Sequence, residues 1–169
     1  MSVLMRWNRI SVQEAIQEIL ACCGSEAWAR ELAAQRPILD WATLVAASDE
    51  IWGRLSTEDW LQAFSKHPRI GERQAPAAAS TRSAAWSAQE QRSVSAADEL
   101  VQAALALANQ EYEQRFGRVF IVCATGKSAP EILDILNRRL LHDAGAELRE
   151  ASEEQRKITN IRLKKWLSK

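Results

Sequence analysis

Cysteine is scarce in this 169-residue chain, and neither sign of charge is in surplus. The three cysteines, Cys22, Cys23 and Cys123, are odd in number, two are adjacent, and none forms a C-x-x-C pair. That pattern fits neither a disulfide framework nor a zinc site and points to reduced, buried thiols. Lys plus Arg and Asp plus Glu both number 22. Without a basic excess, nucleic acid is excluded as the main partner, and without self-repulsion the chain is free to oligomerise. No uninterrupted apolar run approaches about 18 residues, so no membrane span is expected. The opening stretch, MSVLMRWNRISVQEAI, lacks the long apolar core and small-residue cleavage site of a secretory signal, which makes a cytoplasmic location the expectation. A G-x-S-x-G elbow and a Gly-rich phosphate loop are also missing. Thr125-Gly126-Lys127-Ser128 is only the tail of a Walker-like pattern without its first glycine. No repeat of about 20–50 residues is found.

Helix punctuation is abundant. Ser11-x-x-Glu14 has capping-box spacing, and Ile16, Ile19 and Leu20 follow on one face, with Gly24 placed to end the helix. A second helix fits Glu26 to Gln35, before Pro37. Asp40 can cap a third carrying Leu44, Val45, Ile51 and Trp52; Ser56-x-x-Asp59 starts a fourth that must stop near His67. From Gly71 to Ala85 the residues are small, without a large apolar side chain, and a mobile surface loop over 72–86 is expected. Ser87-x-x-Glu90 reads as another capping box, and a long helix follows from about Ala96 to Arg115, closed by Gly117. The β-branched and aromatic run Arg118–Thr125 has no partner strand, so a buried extended segment is expected there. Ser128 caps a helix to about Leu141, and a last amphipathic helix covers roughly Ala146 to Leu167. The fold class is therefore all-α: a single-domain bundle over residues 1–169, of about seven to nine helices with one buried extended segment. Of the seven tryptophans, Trp28, Trp41, Trp52, Trp60, Trp86 and Trp166 fall in or beside apolar helix faces and read as core or interface, while Trp7 has no assigned place.

A few residues could carry chemistry. His67 precedes Pro68, which disfavours helical geometry at the histidine and removes a donor. The side chain is then expected to project at the negative end of the helix dipole, where a charged imidazole is favoured. Two roles fit, a simple C-terminal cap or a general acid. Ser87 and Glu90 pose a similar choice, between mutual capping and a rigid mount for a carboxylate beside free N–H groups. Arg162, at the margin of an apolar stripe, either snorkels to solvent or turns inward to bind a planar anion. His142 has only Asp143 as a neighbouring acid, so no metal site is expected.

Taken together, these stretches resemble one family, the 2-oxo-4-hydroxy-4-carboxy-5-ureidoimidazoline (OHCU) decarboxylases. The resemblance rests on His67-Pro68-Arg69-Ile70-Gly71, Ser87-x-x-Glu90-Gln91, Asn109-x-x-Tyr112 and Arg115-Phe116-Gly117. It continues in Phe120-Ile121-Val122-Cys123-Ala124, Gly126-Lys127-Ser128 and Ile158-x-x-x-Arg162-Leu163, so that matches run from about residue 10 to residue 167. One departure is His142, where an asparagine is often found; it lies outside the expected site. The resemblance implies a cofactor-free, all-α homodimeric enzyme that acts on a small-molecule ureide and releases (S)-allantoin and carbon dioxide. It implies His67 as the catalytic acid/base, with Glu90 assisting proton transfer and Ser87 and Gln91 holding the ring. Arg162 would clamp an anionic edge, Pro68 would form part of the wall, and Phe120, Ile121, Val122, Cys123 and Ala124 would offer backbone groups to the ureide. Two other classes compete: a helical interaction module whose tryptophan faces dock a partner, and a hydrolase or isomerase acting on a different ureide.

Overall fold

The computed structural model describes residues 1–71, 79–95 and 99–169. Among them ten α-helices and no strand are found, so the all-α class holds, with one helix more than the upper end of the expected range. Two compact units can be described, residues 1–63 with 156–169, and residues 64–155.

The first unit holds α1 (Val3–Trp7), α2 (Val12–Ile19), α3 (Glu26–Ala34), α4 (Trp41–Arg54) and nearly all of α5 (Thr57–Phe64), with the C-terminal part of α10 (Ala144–Leu167). The caps explain these boundaries. The Ser11 hydroxyl accepts from the Glu14 N–H while the Glu14 carboxylate accepts from the Ser11 N–H at 3.0 Å, and Ser56 and Asp59 reciprocate in the same way. Asp40 accepts from the Thr43 N–H at 2.7 Å. Tryptophans build this core. Trp7, Trp28 and Trp166 are among its fully buried side chains, and Trp7 meets Trp166 edge-on at 5.6 Å. Their indole N–H groups donate to the Ala15 carbonyl, the Ser48 hydroxyl and the Glu18 carboxylate respectively, so burial leaves no orphan donor. Trp7 thus gains a place that a five-residue helix did not suggest, whereas Trp41 stays 37% exposed beside its cap.

The second unit holds α6 (Thr81–Glu90), α7 (Arg92–Ser95), α8 (Glu99–Phe116), α9 (Ala129–Arg139) and the first half of α10. α8 packs on α9 through Leu105, Ala108, Tyr112, Ile132 and Leu136, and each fully buried Leu or Ile contributes about 1.5–3 kcal/mol. Gly117 ends α8 with φ +70°, its N–H donating to the Glu113 carbonyl; a side chain there would be strained. The capping box expected at Ser87-x-x-Glu90 is absent. Ser80 caps α6 instead, accepting from the Ser83 N–H at 3.1 Å, because Ala84 and Ala85 are strong helix formers and Trp86 anchors the inner face. Residues 81–86 are therefore helical rather than loop, and Ser87 and Glu90 stand in the last turn of α6, not at a helix start. Residues 72–78 of the expected loop, and 96–98 at the expected start of the long helix, lie outside the described residues. Arg118–Thr125 is extended and unpaired, as the sequence suggests.

Candidate active site

Within the second unit the separated motifs meet. His67 follows α5, its N–H closing the chain on the Phe64 carbonyl at 3.1 Å before Pro68 stops the helix. The ring does not project outward. Flanked by the buried Phe64 and Pro68, it turns inward, is only 9% exposed, and its Nε2 lies 2.7 Å from Gln155 Oε1. Four residues on, Gly71 adopts φ +92°, and its N–H donates to Gln91 Oε1 at 3.0 Å. The Ile70 carbonyl between them accepts from Asn109 Nδ2 at 3.1 Å. His-Pro-Arg-Ile-Gly is thus tied to Ser-x-x-Glu-Gln and to Asn-x-x-Tyr by side-chain-to-backbone bonds.

Ser87 is buried and Glu90 half-buried. Burial pushes the Cys123 thiol pKa up; Lys127 opposes that rise, and the negative charges of Glu154 and Glu90 reinforce it. Glu154 immediately precedes Gln155, the partner of His67, on α10.

The extended segment has an unusual hydrogen-bond balance. Phe120, Ile121, Val122, Cys123 and Ala124 are all buried, none above 6% exposed. Three of their carbonyls are occupied: Ile121 by Arg139 Nη1 at 2.5 Å, Cys123 by Lys127 Nζ at 2.7 Å and Ala124 by the Lys127 N–H at 3.0 Å. Among the described residues, no acceptor is found for any of the five N–H groups. Buried donors are nearly always paired, so such a row calls for a polar ligand or ordered water.

Arg139 holds the segment from behind. It is fully buried, grips the fully buried Glu147 through Nε at 2.9 Å and through Nη2, and lies 4.5 Å over the Phe120 ring. Tyr112 donates its hydroxyl to the same carboxylate at 2.5 Å, and its pKa is pushed up by burial first and by Glu147 second. Neither the Arg139–Glu147 pair nor Gln155 was anticipated. A signal existed for Gln155: Ser152, Gln155, Thr159 and Arg162 recur at i, i+3, i+7 and i+10 on α10, and all are buried, which makes a polar stripe inside the apolar one.

Arg162 belongs to the first unit. At 2% exposure it does not snorkel; Nη1 donates to the Ala21 carbonyl at 3.2 Å, and its charge tempers a Cys23 thiol that burial raises to about 11. His142 has more acidic company than its sequence neighbours suggested, since its Nδ1 lies 3.1 Å from Glu147 and 3.5 Å from Glu150. These three donor groups lie within 4.8 Å of one another, but Arg139 and Arg138 already neutralise the two carboxylates, a poor setting for a dication. A cavity of about 620 Å³ opens between the Ile70–Gly71 turn and α8, lined by Asn109, Gln102 and the Arg69–Glu113 ion pair. No residue of the expected site lines it, so the convergence of donors, rather than this hollow, marks the chemistry. No described helix is long and apolar enough to cross a membrane.

Comparison with known proteins follows the same residues. The family model for OHCU decarboxylase matches residues 8–164. The uric acid degradation bifunctional protein TTL of Arabidopsis thaliana is 31% identical over 147 residues, covering 87% of this chain and 45% of the plant protein. The uric acid degradation bifunctional protein of Bacillus sp. (strain TB-90) is 28% identical over 164 residues, 95% of this chain and 31% of that protein. The chain thus spans less than half the length of these curated relatives. A crystal structure of OHCU decarboxylase in the presence of (S)-allantoin superposes with a TM-score of 0.77 at 31% identity, covering 90% of this chain and 98% of that one. An (S)-allantoin synthase structure shares the fold, with a TM-score of 0.72 at 17% identity, covering 97% of this chain and 54% of the other.

Proposed function

Because the chain belongs to the OHCU decarboxylase family, we propose that it decarboxylates 2-oxo-4-hydroxy-4-carboxy-5-ureidoimidazoline to (S)-allantoin and carbon dioxide in uric acid degradation, without a cofactor. The observation that carries this reading is the row of buried backbone donors at Phe120–Ala124, without an acceptor among the described residues and in the same unit as the His67–Gln155 pair. A planar ureide rich in carbonyl oxygens suits such donors, whereas a capped interaction module has no use for them.

The substrate supplies its own electron sink. Breaking the bond to the carboxylate releases carbon dioxide, and the electron pair left on the ring carbon moves into the adjoining C=N system. The hydroxyl proton passes to the ring nitrogen as C–OH becomes the carbonyl of allantoin, and one further proton is taken up at the carbon that bears the ureido group; its delivery to a single face sets the S configuration. Stabilising the developing charge and aiming that proton are the protein's tasks. His67 is the acid/base group and Glu90 assists the proton transfer. Ser87 and Gln91 hold the ring, Pro68 forms part of the wall, and Phe120, Ile121, Val122, Cys123 and Ala124 meet the substrate's oxygens through their N–H groups. Because three carbonyls of that segment already have partners within the chain, donors are its principal offering. Arg162 binds an anionic edge of the substrate, which its burial supports more than a snorkelling role would. The protein works as one domain over 1–169, as a homodimer, in the cytoplasm; buried free thiols and zero net charge suit that setting.

The test combines uric acid, a uricase and a hydroxyisourate hydrolase with this protein, and follows circular dichroism. Rapid growth of one allantoin enantiomer is the expected result, and His67→Asn removes it while the far-ultraviolet spectrum is kept. Slow, racemic product, the same as without the protein, would overturn the proposal.

A further inference from the structure

We infer that Lys127 is a positioning residue: its ammonium group holds the Cys123 carbonyl and thereby aims and polarises the Ala124 N–H that meets the substrate. This rests on the decarboxylation proposed above, and it adds to that reading a residue and a direction for the backbone donors. Lys127 Nζ donates to the Cys123 carbonyl at 2.7 Å, and Arg139 Nη1 to the Ile121 carbonyl at 2.5 Å. Among the described residues the one cis peptide is Arg36–Pro37. The Ile121–Val122 and Cys123–Ala124 peptides are therefore planar and trans, with C=O and N–H pointing in opposite directions. Fixing each carbonyl fixes the N–H across the same peptide. The Val122 N–H thus points away from Arg139 and the Ala124 N–H away from Lys127. Both residues are buried, and neither N–H has an acceptor among the described residues.

Local sequence brings the lysine to this place. The Lys127 N–H closes a four-residue turn on the Ala124 carbonyl at 3.0 Å, and Gly126 takes φ +77°, the positive value that a type II turn needs at its third position. The turn folds the Lys127 side chain back along the segment, within reach of Cys123 four residues earlier. Charge makes it more than a clamp. An ammonium on a carbonyl oxygen draws electron density toward that oxygen and strengthens the N–H of the same peptide as a donor. Arg139 is neutralised by Glu147, whereas Lys127 forms no ion pair among the described residues. When carbon dioxide leaves, charge spreads through the C=N system to the ring oxygen conjugated with it. A polarised donor holds that oxygen more tightly in the transition state than in the ground state, so the effect falls on kcat.

Cys123-Ala124 is the only Cys-Ala pair in the chain, so cysteine labelled at its carbonyl carbon and alanine labelled at its nitrogen together mark this one peptide. In Lys127→Met both resonances should move upfield. In the same variant kcat should fall about 10- to 100-fold, short of the roughly 100- to 1,000-fold that follows outright loss of a preorganised donor, and KM should change less than about twofold. Lys127→Cys alkylated with bromoethylamine rebuilds an ammonium at the same chain length, the three native thiols being buried, and should return both resonances and most of kcat. If Lys127→Met does not fold, Lys127→Cys before and after alkylation carries the same comparison. Unmoved resonances overturn the inference, as do moved resonances with unchanged kcat. So does a variant whose only defect is a raised KM, since the ammonium would then be binding substrate directly. The resonance comparison needs no turnover: an inactive wild type would sink the proposed function, and the role of Lys127 in holding this peptide would still stand or fall on the two resonances.

Discussion

Replacing Arg139 by leucine isolates the energetic centre of the second unit. Arg139 and Glu147 are both fully buried, and the carboxylate also receives the Tyr112 hydroxyl while the guanidinium serves the Ile121 carbonyl. Arg139→Leu leaves a buried carboxylate without its cation, which costs about 3–5 kcal/mol. The Ile121 carbonyl loses its donor, at about 1–3 kcal/mol more. The expected total, about 4–8 kcal/mol, is a large share of the 5–15 kcal/mol typical of a domain. Adding Glu147→Leu and Tyr112→Phe removes the orphaned charge and the orphaned hydroxyl together; His142, partly exposed, keeps Glu150 at 3.5 Å, so the Ile121 carbonyl is the buried group left unpaired. The triple variant is therefore expected to lie about 1–3 kcal/mol below wild type, above the single variant despite two further changes. Urea unfolding followed by tryptophan fluorescence and far-ultraviolet circular dichroism measures this, with coincident transitions as the check on two-state behaviour. Should Arg139→Leu prove too unstable to purify, Glu147→Gln stands in as the milder single change. A triple variant less stable than the single one would refute the reasoning, because it would mean that the polar groups stabilise additively rather than as a closed set.

Other outcomes are more local. Gly71→Ala should cost about 1–2 kcal/mol, since φ +92° is strained for any side chain although nothing crowds a Cβ there, and it should lower kcat by disturbing the approach to His67; unchanged stability in urea would contradict this. The Glu150 carboxyl is held below its ordinary value of 4.5 by its hydrogen bond to Arg138. Its contribution to stability is fully present above that value and is lost as pH falls through the lower folded value. Arg138→Gln should therefore flatten the urea midpoint below about pH 4.5, and an unchanged acid slope would count against the pairing. Burial of all three thiols, with Cys23 raised to about 11, predicts that a thiol reagent at pH 8 modifies none of them within minutes in the folded protein and all three in urea. Rapid reaction of one thiol in the native state would contradict that.

Much of the fold was legible because it is written in local chemistry. Ser11, Asp40, Ser56 and Ser128 cap the helices that their sequence positions announce, and Gly117 ends α8 in the left-handed region. The failure at Ser87-x-x-Glu90 is instructive for the same reason. Capping-box spacing is a statement about two residues, and it cannot say whether the chain upstream has already entered a helix. Ser80 had the prior claim, although it lacks a glutamate three residues on, and Thr81–Ala85 contains nothing that resists a helix. Trp7 and His67 erred in the other direction. Both occupy short segments whose burial is decided by distant residues, Trp166 for one and Gln155 for the other, so no local pattern could reveal it.

Site residues are legible to the extent that they carry a motif, and the supporting ones are not. Gln155, Arg139 and Glu147 read in the sequence as an ordinary helix glutamine and two ordinary surface charges. Their role appears only once α9 and α10 bring Arg139 within reach of Glu147 and Ile121. A physical economy links them to the site. An extended buried segment needs its carbonyls satisfied if its N–H groups are to stay available, and Arg139 and Lys127 satisfy three of the five from the chain itself. Had those carbonyls lacked internal donors, the segment would have had to pair with a neighbouring strand, which would have consumed the N–H row as well. The buried cation at 139 thus does more than hold two helices together: with Lys127 it lets the Phe120–Ala124 backbone remain extended and unpaired, with its N–H groups ready to donate.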